Sequence, residues 1–193
     1  MTKRTIGIVA VVFALYLLAG CASAPQVSYG NPEQVETITT EFGSTDLQMI
    51  AEKMVNSLLA SPVLTAGTRP VFYVHKVRNM TDEHIDTKSV TDKIRVTLLK
   101  SGRVRFTAVN EVNDEILKQL EYQTKSGVVD LATAKSAGHQ VGADYFLFGE
   151  ITSIRKSAGR VQDVYFKFTL NLVNIKTGLI EWADEKEIRK EAK

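Results

Sequence analysis

From Val164 to Leu172 every second residue is apolar: Val164, Phe166, Phe168, Leu170 and Leu172. Between them stand Tyr165, Lys167, Thr169 and Asn171. A helix would scatter these residues around its cylinder, whereas a strand sorts them onto two faces. The segment is expected to be a strand with one buried and one wet face, and its apolar side needs a second layer to cover it. Neighbouring segments supply the rest of a sheet. Tyr145 to Ile154 is expected as one strand, with a turn at Ser157-Ala158-Gly159. Lys176-Thr177-Gly178 is a hairpin turn, and Leu179 to Ala183 is the returning strand. Ile180 and Trp182 share a face there, with Trp182 as a core anchor. The charged run Asp184 to Lys193 is expected as a solvated, frayed end.

Upstream, the period changes. Thr45-x-x-Gln48 has capping-box spacing, and Leu47, Ile50, Ala51, Met54 and Leu58 follow at helical intervals up to Ser61-Pro62. Pro70 to Val77 is apolar on both faces and reads as a central strand. Arg78 to His84 reads as a polar loop. Val90, Ile94 and Leu98 form one row of a second helix that stops at Gly102. Arg103 to Val109 alternates, which predicts a strand whose wet face carries Arg103 and Arg105, joined by Lys100. Asn110 caps a third helix through Ile116, Leu117 and Leu120. After the loop Lys125-Ser126-Gly127, Asp130 opens a small-residue helix that ends at Gly142. The order α-β-α-β-α-α-β-β-β predicts one α+β domain over residues 45–193, a mixed sheet of about five strands with helices packed mainly on one face.

The first twenty residues follow different rules. Lys3 and Arg4 precede an uncharged, mostly apolar stretch from Ile6 to Ala19, 14 residues long. A membrane-spanning helix needs roughly 20 such residues, so the length suits the core of a secretory signal. The formal charge of +2 belongs to this segment; without residues 1–20 the chain carries 22 charges of each sign. A nucleic-acid binder would carry a basic stripe, and none is read here. Leu18-Ala19-Gly20-Cys21 resembles a bacterial lipobox, which implies cleavage before Cys21 and lipidation of its sulfur. Several acyl chains make such an anchor stable. Ala22, where an Asp resembles an inner-membrane retention signal, implies the outer membrane. Residues 21–44, with Pro25, Pro32, Gly30 and Gly43, are expected as a flexible tether. Its 23 residues beyond Cys21 span at most about 75–83 Å.

No catalytic constellation is read in the sequence. Cys21 is the single cysteine, and His75, His84 and His139 lack the spacing of a helical metal site. Neither a nucleophile elbow nor a phosphate-binding glycine loop is present. Glu111, Asp114 and Glu115 suit the first turn of a helix. Glu150 is expected on the wet face of its strand. The chain is expected to be neither an enzyme nor a cofactor or metal protein.

The body resembles the LpoB family, outer-membrane lipoprotein activators of class A penicillin-binding proteins. The resemblance lies in Val77-Arg78-Asn79-Met80-Thr81, in the helix Val90 to Leu99, and in Gly102-Arg103-Val104-Arg105-Phe106. It continues through Val141-Gly142-Ala143-Asp144-Tyr145-Phe146-Leu147, Asn171-Leu172-Val173-Asn174 and Thr177-Gly178-Leu179-Ile180-Glu181-Trp182. It covers roughly residues 46–190. It implies a monomeric, non-enzymatic periplasmic module that binds a bifunctional peptidoglycan synthase. By aligned position it implies a docking surface of Arg95 and the loop Lys125 to Asp130, with Arg78 and Asn79 as neighbours. The best-known members of that family have a long, Pro-rich tether, whereas here it is about 23 residues and only modestly Pro-rich. The G-A-D-Y and T-G-x-I-x-W segments are also similar to a wider superfamily that includes the curli secretion lipoprotein and the amino-terminal domain of the Tol translocation protein. That likeness implies an alternative, an envelope assembly or secretion scaffold. The visible strands leave no lipid-facing hairpin to spare, which argues against a pore.

Overall fold

The strand expected from the alternation is β5, Val161–Asn174, and its five alternating apolar residues are each at most 1% exposed. It lies inside a mixed sheet of order β3-β1-β4-β5-β6, with β2 also paired to β4. The remaining strands are β1 Val71–Val74, β2 Arg78–Met80, β3 Arg105–Phe106, β4 Tyr145–Ala158 and β6 Ile180–Ala192. The helices are α1 Ser44–Ala60, α2 Pro62–Thr65, α3 Thr87–Lys100 and α4 Asn110–Lys125. The computed structural model describes residues 28–36, 38–65, 67–108, 110–132 and 141–192. Cys21 with the segment before it, His139, and most of the helix expected between Asp130 and Gly142 lie outside the described residues. Residues Glu33–Lys193 make one compact unit. In the other, Met1–Pro32, residues 28–32 are exposed. Among the described residues no helix is long and apolar enough to cross a membrane.

The apolar face of the sheet is covered by α1 and α3. Ile50, Met54 and Leu58 of α1 and Val90, Ile94 and Leu98 of α3 are at most 2% exposed. They close over Phe72, Leu147, Ile151 and the inner row of β5. Each large apolar side chain buried this way contributes about 1.5–3 kcal/mol. The cap of α1 differs from the expected Thr45/Gln48 pair. Gly43 is the N-cap, and its N–H donates to Asp46 Oδ2 at 2.8 Å. Thr45 Oγ1 instead accepts the Glu36 N–H at 2.7 Å.

Four other expectations are corrected. The run read as one strand over Pro70 to Val77 is broken. Val74 pairs with Leu147 and Arg78 with Glu150, so four steps along one chain match three along the other. The extra residue is a bulge, and Arg78–Met80 beyond it is a strand and not a loop. Secondly, β3 has two residues, and Arg103 is not on a wet face. Its guanidinium donates to Leu59 O at 2.8 Å and Leu64 O at 2.7 Å, satisfying carbonyls at the ends of α1 and α2. Arg103→Ala is expected to lower stability by about 2 kcal/mol in denaturant titration, because both charge-assisted bonds go; a loss below about 0.5 kcal/mol would refute that role for Arg103.

Thirdly, the C-terminal run is no frayed end: β6 continues to Ala192 along β5. Its outer charges find partners across the pair, with Arg189 bidentate on Asp163 at 2.8 and 2.9 Å and Tyr165 Oη donating to Glu187 at 2.5 Å. On its inner side, Trp182 donates to Ser57 Oγ, Asp184 pairs with Lys53, and Ile188 is 7% exposed. Charges along an outermost strand also discourage pairing with other chains. Fourthly, residues 40–43, read as tether, lie against the body. Thr40 is buried, and the Phe42 ring packs edge-on to Phe166 with centroids 5.8 Å apart.

Candidate docking surface

The bulge between β1 and β2 shapes a groove beside α3. One extra residue in a strand turns neighbouring side chains away from strict alternation. His75 and Lys76 are both exposed, while Val77 returns to the core at 1% exposure. Thr87 Oγ1 fixes this corner by donating to Val77 O at 2.9 Å. The resulting groove, about 500 Å³, runs between His75-Lys76-Val77 and the first turns of α3, with His84 and Ile85 at its side. The His75 ring stacks on Phe146 at 5.4 Å, and Tyr73 stacks on the same ring at 5.7 Å.

The α3 wall is built from charge spacing. Asp86 caps the helix, accepting from Lys88 N–H at 3.0 Å and Ser89 Oγ at 2.6 Å. Asp92 sits between Lys88 and Arg95, pairing with both, and its contact with Arg95 Nη2 is 2.7 Å. These i, i+3 and i, i+4 pairs pre-order the two cations at the groove. Against Asp86 and Asp92, the three cations Lys76, Lys88 and Arg95 leave the groove lining with an excess of one positive charge. Such a surface suits a partner that presents carboxylates.

The loop after β2 borders this groove. Asn79 Oδ1 accepts from Thr81 N–H at 3.0 Å, and Asn79 Nδ2 donates to Glu83 O at 2.8 Å. Asp82 accepts from Ser153 Oγ and Arg155 Nε, both at 3.0 Å. Arg155 also pairs with Glu83. The Arg155 hydrogen bond, followed by that of Ser153, holds the Asp82 carboxyl below the usual carboxylate range. The Ser89 hydroxyl is the main cause of the same lowering at Asp86. A folded-state pKa below the unfolded one adds stability above the ordinary carboxylate value, and that stability is lost as pH falls through the folded value. Residues 81–89 are therefore expected to loosen as pH falls below about 4, before β5 does. Amide exchange by NMR checks this; a loop as protected at pH about 2.5 as at pH 6 would contradict it.

The structure brings three of the five expected contact residues to this region. Arg95 lines the groove. Arg78 and Asn79 follow directly on its wall, and Arg78 Nη2 meets Glu150 Oε2 at 2.6 Å, which puts Glu150 on the open face. Lys125 and Asp130 do not line the groove. Lys125 Nζ lies 3.3 Å from Glu121, and Asp130 accepts the Ala132 N–H at 3.0 Å. His75, Lys76, Glu83 and Asp92 were not singled out as contact or positioning residues from sequence. The spacing of Lys88, Asp92 and Arg95 carried a signal for the helix wall; nothing local marked the bulge.

The family model described as peptidoglycan-synthase activator LpoB matches residues 46–188. The LpoB C-terminal domain from Escherichia coli is similar at 19% identity, covering 74% of this chain and 98% of that chain, with a TM-score of 0.46. The corresponding domain from Salmonella enterica is similar at 17% identity, with the same coverages and a TM-score of 0.45. Lipoprotein GNA1162 from Neisseria meningitidis is similar at 17% identity, covering 64% of this chain and 84% of that chain, with a TM-score of 0.39. No curated protein sequence matches the chain.

Proposed function

The chain belongs to the LpoB family of peptidoglycan-synthase activators, and from that premise we propose that its body docks on a class A penicillin-binding protein and raises its activity without doing chemistry itself. The observation that carries the reading is the family match over residues 46–188, which includes the whole groove. Docking would favour an active conformation of the synthase, and the stimulation is limited by how much tighter the domain binds that conformation. The contact surface is the groove with Arg95, joined by Arg78 and Asn79 along its border; Lys125 and Asp130 form a second, separate contact. In this reading Cys21 is lipidated, and the domain is anchored to the outer membrane as a monomer facing the periplasm.

The reading is tested with the full-length protein in solubilised envelope. Capture of a class A penicillin-binding protein, with faster glycan polymerisation on adding the purified chain, supports it. Capture of other envelope components, with polymerisation unchanged, would move the function to an assembly scaffold. Charge reversal tests the surface: Arg95→Glu and Arg78→Glu are each expected to weaken synthase binding about tenfold or more, since like charges then face each other. Unchanged binding and stimulation in Arg95→Glu would remove that residue from the interface.

A further inference from the structure

The segment 40–43, which leads into α1, is a strap fastened to two different parts of the body. On one side, Lys190 Nζ donates to Glu41 O at 2.5 Å and to Asp46 Oδ2 at 2.7 Å, gripping the strap from β6. Thr40 Oγ1 lies 3.3 Å from Gln162 Oε1 at the start of β5, and the Phe42 ring packs on Phe166. On the other side, the Phe42 N–H donates to Glu83 Oε2 at 2.8 Å.

Glu83 is the junction. Its second carboxylate oxygen takes Arg155, and its backbone oxygen accepts Asn79 Nδ2 and Thr81 Oγ1 at 2.8 and 3.1 Å. The bonds that shape the loop after Arg78 therefore share one residue with the bond that seats the strap. Ahead of Glu36 the chain leads back to Cys21 through 14 residues, which span at most about 46–50 Å when extended. Val35 and Ile38 are 67% and 86% exposed, so few apolar contacts hold this end down. Segments held by a few partly solvated bonds open at low free-energy cost.

We propose that the strap is a clip that holds β2 and the loop after it, residues 78–84, in their docking shape, so that a pull along the tether unseats the strap and releases the partner. This rests on reading Cys21 as the anchor and the loop as part of the docking surface. The coupling itself is a property of the folded body. Seating the strap and binding the partner favour the same state, so each strengthens the other.

Two variants open the strap without altering any residue of the loop. Phe42→Ala removes the ring from Phe166. The double substitution Asp46→Asn with Lys190→Met removes the grip on Glu41 while leaving no unpaired buried charge. Hydrogen exchange of the full-length protein is measured residue by residue, alongside affinity for a purified class A synthase. Amides of residues 79–84 are expected to exchange about tenfold faster in both variants, with α3 and β5 unchanged. Synthase affinity is expected to fall about fivefold. Loop exchange equal to wild type in both variants would overturn the coupling, whatever the synthase does. Faster exchange with unchanged affinity would overturn the release. A synthase that ignores wild type and variants alike would remove the docking reading and leave exchange to decide the coupling.

Discussion

Replacing Gly149 by alanine is expected to destabilise the protein by about 3 kcal/mol, at the upper end for overpacking a core. Gly149 sits in β4 opposite Leu170 of β5, at the centre of the sheet. A Cβ on Gly149 would lie 2.1 Å from Thr169 O and 3.1 Å from Leu170 Cδ1. The first of these is backbone within a paired strand, so a rotamer change cannot clear it. Either the two strands separate locally, losing ladder bonds, or the bulk is absorbed by the row that includes Phe168 and Leu170. For a domain of this size the loss corresponds to a Tm drop of roughly 6–12 °C. Gly142→Ala is the control, since a Cβ there meets nothing within 4 Å among the described residues; it is expected to change stability by less than about 0.5 kcal/mol. Paired melts of the two variants decide the matter. Similar melting temperatures would mean that the strands yield to a methyl group without cost.

The same neighbourhood shows which parts of the molecule could be read from sequence. β5 was legible because its apolar period coincides with the face that α1 and α3 cover. The rows of α1 and α3 were legible for the same reason. β6 was not, because its inner face carries Trp182, Asp184, Lys186, Ile188 and Lys190. Asp184 and Lys190 are held by Lys53 and Asp46, residues more than 130 positions away, so no local pattern reveals them. The strap was hidden by composition. The prolines and glycine ahead of it, Pro25, Gly30 and Pro32, mark a flexible chain, yet the ring against Phe166, the N–H on Glu83 and the Lys190 grip on Glu41 seat it. In the candidate site, the cations of α3 could be placed from helical spacing. The exposure of His75 and Lys76 could not, because it follows from a register offset against β4 and Val74 to Val77 reads as an uninterrupted strand.

Lys190→Met is expected to be as damaging as the change at Gly149, about 3 kcal/mol, for a different reason. Asp46 is 1% exposed and its carboxylate has two kinds of support. Oδ2 receives the Gly43 N–H and Lys190 Nζ, whereas Oδ1 is buried without a hydrogen-bond partner among the described residues. The lysine is therefore the charge that makes the buried anion tolerable. Removing it leaves an uncompensated carboxylate under the strap and at the start of α1. Asp46→Asn keeps an acceptor for Gly43 and removes the charge, so the double variant is expected to lie within about 1 kcal/mol of wild type. The cycle should then show a coupling of about 2 kcal/mol between the two positions. Denaturant titration of all four proteins gives it directly. Additive effects would show that water reaches Asp46 from the strap side, and the ion pair would then be an ornament of the surface and not the fastening that joins the strap, α1 and the last strand.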